Sequence, residues 1–246
     1  MKLLSVNIEG QKHLEKIKAL IITEKPDVVC MAECFPDTIL FLAGDGYPYR
    51  LYAPTYMVDQ DDEFTLIPSK TRRWGEVIIS KYPIFDTQIT YLSMDTYSET
   101  NLPTHGTDNH IPALITANIE IGGEQYRIGT IHLTWTPKAR MTKRQKKNVQ
   151  ELLDLVDQEE IVLCGDFNIP MGNKVYVQMK KRFNDNIPPK IETTLDPKLH
   201  YRNTKVPGTL KLVVDYVWSS PKYLVNSVRV ISGVSDHCAI ACEVVI

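Results

Sequence analysis

The sequence predicts an α/β protein in which β-sheet packs on β-sheet and helices cover the outside. Short apolar runs of strand character recur along the whole chain, only a few segments show helical spacing, and most apolar runs stop abruptly on a polar or charged residue. The 246 residues, 43% of them hydrophobic, suffice for one large core, and a single domain over residues 1–246 is expected.

Residues 3–6 read as a short strand, after which Leu14, Ile17, Leu20 and Ile21 recur at helical spacing until Pro26 stops the helix. Residues 28–32 form the next buried strand, ending on Glu33. Phe35-Pro36 and residues 38–43 suggest a short helix closed by Gly44. Residues 49–53 are compatible with a strand, and the charged stretch 59–73 with a surface loop or edge hairpin. Strands over 74–80 and 85–92 flank a Lys81-Tyr82-Pro83 turn. Residues 93–110 hold few aliphatics and many turn formers, which predicts a long loop carrying His105, Asp108 and His110. Residues 113–121 and 125–133 flank Gly122-Gly123, a two-residue hairpin signal, and the second strand runs out at His132.

A helix is predicted over 138–157, with Val149, Leu152, Leu153 and Val156 on one face and Lys143, Arg144, Lys146 and Lys147 crowding its first half. That basic cluster is either a solvated surface or a phosphate contact. Ile161 to Cys164 reads as a buried strand, and Gly165 lets the backbone turn closely where Asp166 and Asn168 emerge. A plain βα turn, with Asp and Asn as turn formers, is the alternative. A helix follows over 175–183, then an irregular stretch over 187–207. Strands over 213–218, 225–231 and 239–246 close the chain, with Ser235-Asp236-His237 between the last two.

The charge balance is even, 28 Lys+Arg against 30 Asp+Glu, so no global basic field advertises nucleic acid and any polyanion site must be local. The apolar start breaks at Asn7, Glu9 and Gly10, too early for a signal peptide, and no membrane span is expected. The five cysteines (30, 34, 164, 238 and 242) are odd in number and sit mostly in apolar runs, as reduced core thiols do, which favours the cytoplasm.

Polar residues at strand ends form the candidate site: Asn7, Glu33, His132, Asp166 with Asn168, Asp215, and Asp236 with His237. Such residues spread over a whole chain suggest strand ends converging on one cleft. Carboxylates and amides without thiolates are hard ligands suited to Mg2+ or Mn2+, while imidazoles and further aspartates can position water, move protons and hold phosphate oxygens. No Walker loop, Gly-x-Ser-x-Gly elbow or Gly-x-Gly-x-x-Gly fingerprint competes with that chemistry.

Over nearly its whole length the chain resembles the endonuclease/exonuclease/phosphatase, or DNase I-like, superfamily of divalent-metal phosphoesterases. Ser5-Val6-Asn7-Ile8-Glu9-Gly10 is similar to the family's first strand, and Pro26-Asp27-Val28-Val29-Cys30-Met31-Ala32-Glu33 to the strand carrying its metal-binding glutamate. Residues 75–84 are similar to its Gly-x-x-Ile-x-Ser-Arg/Lys-x-Pro-Ile strand and turn. Thr130-Ile131-His132-Leu133, Gly165-Asp166-Phe167-Asn168, Val214-Asp215-Tyr216-Val217 and Ser235-Asp236-His237 complete the set in the family's order. The chain departs at Ala32, where many members have glutamine, and at Glu76, where many have asparagine.

The resemblance implies a four-layer α/β/β/α sandwich of two mainly antiparallel or mixed sheets flanked by helices. It implies that Glu33 binds Mg2+ (or Mn2+) directly, with Asn7 and Asp236 close to the metal sphere. Asp215 would orient His237, Asp166 and Asn168 would hold the attacking water and a phosphate oxygen, and His132 would contact the phosphate or assist the leaving group. Trp74 and Trp135, next to turns, are candidate stacking platforms, and His110 and Arg144 candidate substrate contacts. The His132-Leu133 context resembles the deoxyribonuclease, sphingomyelinase, deadenylase and 5′-tyrosyl-DNA phosphodiesterase branches more than the abasic-site endonucleases. A monomeric phosphodiesterase with nucleic acid as substrate is therefore expected. A lipid or small-molecule phosphodiesterase is the alternative, and a catalytically silent scaffold on the same fold is the alternative of another class.

Overall fold

A computed structural model describes residues 1–58, 73–93, 102–103, 110–136, 139–205 and 211–246. The first of its two six-stranded sheets runs, in spatial order, β11 (Leu224–Ile231), β12 (Ala239–Val245), β1 (Lys2–Asn7), β2 (Val28–Cys34), β4 (Arg73–Ser80) and β3 (Tyr49–Met57). The second runs β5 (Ile84–Tyr91), β6 (Ala113–Ile121), β7 (Glu124–His132), β8 (Val162–Asp166), β10 (Asp215–Ser219) and β9 (Asn184–Asp185). Each sheet is mixed: β1 pairs parallel with β2 and β7 with β8, and the other pairs are antiparallel.

The unbroken apolar runs follow from strands covered on both faces. Leu3, Val28, Cys30 and Ile78 point towards the second sheet and pack with its inward-facing Ile115, Ile128 and Cys164. Their neighbours Leu4, Val29, Met31, Val77 and Ile79 point outward. There they meet α1 (Leu14–Glu24) and α2 (Pro36–Ala43) through Ile17, Leu20, Ile39 and Leu42. α3 (Lys143–Leu155) and α4 (Lys174–Arg182) flank the second sheet, with Val149, Leu152, Val175 and Met179 in its core. The result is the four-layer α/β/β/α sandwich.

Local chemistry sets the helix ends. Thr142 caps α3 by accepting from the Gln145 amide at 3.1 Å, so the helix begins at Lys143 rather than in the expected 138 region, where Lys138 lies outside the described residues. Asn173 caps α4 by accepting from the Tyr176 amide at 2.8 Å. The strand expected over 49–53 continues to Met57, because it pairs with β4 along that whole length. The stretch 187–207 is more ordered than its composition suggests: Leu195 bridges His237, and Tyr201–Lys205 forms the short helix α5. The charged stretch expected as a loop is described only from Arg73, which begins β4, and His105 and Asp108 of the long loop lie outside the described residues.

Candidate active site

Pairing register assembles the site. Across β7, β8 and β10, His132 stands opposite Asp166, and Asp166 opposite Asp215, so three polar residues form one row at the end of the second sheet. On the first sheet Asn7 pairs with Ala32 at the ends of β1 and β2. Glu33 follows at an irregularity where the β2–β4 register shifts between Met31 and Cys34. Its φ of 59° lies in the left-handed region, as does the 50° of Asn168. Non-glycine residues rarely adopt that conformation, and it concentrates at functional sites. A bulge of this kind re-aims a side chain that a regular strand would send elsewhere.

The two sheets meet at Asp166. Its Oδ2 lies 3.4 Å from the Asn7 side-chain nitrogen, which donates to it, 3.4 Å from His132 Nε2 and 3.7 Å from His237 Nε2. Its Oδ1 accepts the Asn168 amide at 2.9 Å. Asn7 also donates to Glu33 Oε1 at 3.0 Å. His237 Nδ1 faces both Asp215 oxygens, at 3.0 and 2.9 Å. Asn168 is anchored twice, donating from its side chain to the Leu133 carbonyl at 2.9 Å and accepting from Gln145 of α3 at 2.7 Å. Thus α3 reaches the site through Gln145, a buried residue that shows no sequence signal beyond lying on the covered face of the helix.

The charges are crowded. Burial raises Glu33 to about 8, reinforced by the Asp236 charge, and raises Asp166 to about 7 against the pull of His237. Asp215, Asp166 and Asp236 outweigh burial at His237 and hold its pKa well above the usual histidine value, whereas burial pushes His132 well below it. Glu76 is fully buried and neither carboxylate oxygen has a hydrogen-bond partner among the described residues, although Oε1 lies 3.9 Å from His132 Nδ1. Burial and the Glu33 and Asp166 charges keep its carboxyl strongly raised. The departure from asparagine at residue 76 therefore places a third carboxylate against His132 and Glu33.

Such a set fits a divalent cation. Ligand atoms of Asp166, Asp215 and His237 all lie within 4.8 Å of one another, and the donors around Glu33 are hard oxygens whose mutual repulsion a cation offsets. His237 and Asp215 already satisfy one another, which leaves the Glu33, Asn7 and Asp236 side better suited to a direct metal contact.

Part of the irregular stretch 187–207, in which the sequence singles out no residue, braces the Asp215–His237 pair. Thr194, fully buried, accepts the Val214 and Asp215 amides on its hydroxyl at 3.0 and 3.1 Å, and its carbonyl accepts the Cys238 amide at 2.7 Å. Asp196 next to it donates its amide to the Asp236 carbonyl at 2.7 Å. One short segment thereby ties the strand carrying Asp215 to the loop carrying Asp236 and His237. Thr194→Val keeps the shape but leaves two buried N–H groups without their acceptor, so we expect a loss of about 2–3 kcal/mol. Thr194→Ser should restore most of it. Urea midpoints for the three proteins check this, and equal midpoints would contradict it.

Among the candidate substrate contacts, His110 is buried and stacked on His132 with ring centroids 4.1 Å apart, its Nε2 2.8 Å from the His132 carbonyl oxygen. Arg144 donates to the His110 carbonyl at 3.3 Å. These two support His132 from behind. Trp74 is 7% exposed, stacked on Tyr56 and packed beside Phe35, which makes it part of a small aromatic core. Trp135 is 45% exposed and lines a pocket that reaches Asn168 and His237.

Comparison with known proteins bears on this geometry. No curated protein sequence matches the chain. Among solved structures, an endonuclease/exonuclease/phosphatase from Beutenbergia cavernae superposes with a TM-score of 0.71 at 21% identity, over 99% of this chain and 71% of that one. The human Nocturnin catalytic domain with bound sulfate gives 0.66 at 19% identity, over 100% and 93%. A Bacteroides thetaiotaomicron mannosyl-6-phosphatase gives 0.66 at 15%, over 100% of both chains. These likenesses show the fold. The model of the Endonuclease/Exonuclease/phosphatase family matches residues 4–237, a span that includes every site residue from Asn7 to His237, and the chain belongs to that family of hydrolases.

Proposed function

We propose that the protein is a Mg2+-dependent phosphodiesterase acting on nucleic acid. The observation that carries this reading is the convergence of Asn7, His132 and His237 on one oxygen of Asp166, with Asp215 behind His237. A phosphoryl group at that point would meet both imidazoles and the Asn168 amide. His237, held protonated by carboxylates on two sides, stabilises charge developing on the phosphoryl oxygens. Asp166, raised towards neutrality, takes the proton of the attacking water. Asn168 holds a phosphoryl oxygen, and neutral His132, backed by His110, contacts the phosphate beside the leaving group. Bound at Glu33, Asn7 and Asp236, Mg2+ would supply polarisation of the phosphoryl oxygen and offset the carboxylate charge. Nucleic acid is favoured by the exposed ring of Trp135 near the site and by Lys143, Lys146 and Lys147 on the first turns of α3. No helix among the described residues is long and apolar enough to cross a membrane, and the five buried free cysteines suit a reducing compartment such as the cytoplasm. We take the working form to be a monomer.

The test is hydrolysis of labelled oligonucleotides, single-stranded, duplex, abasic and 5′-phosphotyrosyl, with Mg2+ and with EDTA. Cleavage that needs Mg2+ supports the reading and the preferred member names the branch. Cleavage only of lipid or sugar phosphoesters run alongside would replace it.

The same site predicts a pH effect on stability. Glu33 binds its proton up to about 8 when folded but only to the ordinary carboxylate value when unfolded, so the metal-free folded state holds the extra proton and its stability falls as pH rises through that value. Between about pH 7.5 and about pH 9 this costs roughly 1 kcal/mol, or about 2–4 °C in Tm. The buried thiols of Cys30, Cys34, Cys238 and Cys242, also raised, add a decline of the same sign. The diagnostic is therefore the difference between EDTA and saturating Mg2+: the decline should be steeper in EDTA, and Glu33→Gln should narrow the gap. Parallel curves for the unmodified protein would count against metal binding at Glu33.

A further inference from the structure

The connection between β9 and β10 builds a pocket against the loop that follows β7. Leu195, Leu212 and Val214 supply its apolar surface, Trp135 and Tyr201 its aromatic rings, and Asn168 and His237 close the end nearest Asp166. We propose that this pocket receives the nucleobase of the nucleotide whose phosphate occupies the Asp166–Asn168–His237 site, with Trp135 and Tyr201 as its stacking surfaces. This deepens the nucleic-acid reading and rests on it.

Position is the first argument. A pocket that shares two walls with the phosphate site accepts whatever is attached to that phosphate. Chemistry is the second. Trp135 and Tyr201 are 45% and 53% exposed, two large rings at one opening over an aliphatic floor, which favours a flat apolar group over a charged one. The rim argues against an acyl chain. Arg202 and Lys205 stand over the Tyr201 ring at 5.7 and 5.9 Å, and Arg202 Nε donates to the Tyr201 hydroxyl at 2.9 Å, so cations border the rings as a continuing phosphate backbone would require. His200 adds a hydrogen-bonding group to the lining. Its Nδ1 accepts the Arg202 amide at 3.3 Å, and burial keeps the imidazole neutral, which leaves Nε2–H as a donor on a ring that borders the pocket. A base, carrying ring nitrogens and carbonyls around a planar face, matches stacking surfaces and a donor together. Of the two rings, sequence reading found only Trp135, because Tyr201 and Arg202 lie in a stretch whose composition suggested irregular structure.

The experiment is calorimetric titration of the full chain in EDTA with adenosine 5′-monophosphate and with ribose 5-phosphate, which lacks the base, for the unmodified protein and for Trp135→Ala, Tyr201→Ala and Tyr201→Phe. We expect the nucleotide to bind at least about tenfold more tightly than the sugar phosphate, as one stacked base supplies. Trp135→Ala and Tyr201→Ala should each remove most of that ratio, and Tyr201→Phe, which keeps the ring, should retain it. Equal binding of nucleotide and sugar phosphate would overturn the proposal, as would a ratio unchanged in both alanine variants. A preference for phosphocholine vesicles over the nucleotide would also overturn it and transfer the pocket to a lipid. Because no hydrolysis is read, inactivity on oligonucleotides with an intact binding ratio would fault the phosphodiesterase reading alone.

Discussion

Replacing His237 with alanine is expected to lower kcat by about a hundredfold or more on whichever phosphoester proves to be the substrate, and Asp166→Ala by a similar factor. The expectation comes from how few alternatives each group has. His237 Nδ1 is engaged by both oxygens of Asp215, and Nε2 faces Asp166 Oδ2 at 3.7 Å, so the imidazolium is the cation between two buried carboxylates. Its removal takes away a charge positioned for the phosphoryl oxygens and leaves Asp166 and Asp215 to repel one another. Asp166 in turn is the point where Asn7, His132 and His237 meet, and no other carboxylate lies in that row except Asp215, which is committed to His237. KM should move much less than kcat in both variants if the groups act on the reacting phosphate rather than on distant parts of the substrate. Steady-state kinetics, with circular dichroism to confirm folding, decide it. A rate within a few-fold of the unmodified protein for either variant would remove that residue from the proposed chemistry.

How much of this was legible beforehand depends on the kind of signal involved. Asn7, Glu33, His132, Asp166, Asp215 and His237 stood out because each interrupts or follows an apolar run, and strands buried on both faces leave few places along their length for a charged side chain. The pairing of His132 with Asp166 and of Asp166 with Asp215 turns that list into a row, but register is a property of strand pairs and no single run encodes it. Glu76 was visible as a departure from a pattern, yet its full burial against His132 required the neighbouring strands. Thr194 gave no signal, since a threonine in a polar, proline-containing stretch is ordinary, and its value lies in accepting two amides from a strand about twenty residues further along the chain. Trp74 illustrates the reverse error. Adjacency to a turn made it a candidate platform, but Tyr56 and Phe35 come from other elements to enclose it.

The second large effect concerns the backbone that holds the row in place. Gly165→Ala should destabilise the protein by about 3–4 kcal/mol, lowering Tm by about 10 °C. Gly165 has a φ of 129°, which side chains with a Cβ rarely adopt, and it sits directly opposite Ile131 in the parallel β7–β8 pair. A Cβ at residue 165 would lie 2.2 Å from the Ile131 carbonyl oxygen. Neither atom is the flexible end of a side chain, so the strands themselves must separate or twist, and the next pair in that register is His132 with Asp166. Gly122→Ala supplies the control. Its φ of 62° is also unfavourable for alanine, but nothing among the described residues lies within 4 Å of the added carbon, so only the conformational cost of about 1–2 kcal/mol should appear. The difference between the two variants isolates the steric overlap. It should be accompanied by a fall in kcat for Gly165→Ala alone, because a strand displaced at residue 165 carries Asp166 with it. If Gly165→Ala melted within about 2 °C of Gly122→Ala, the close approach of β7 and β8 would not be what sets the spacing of the catalytic row.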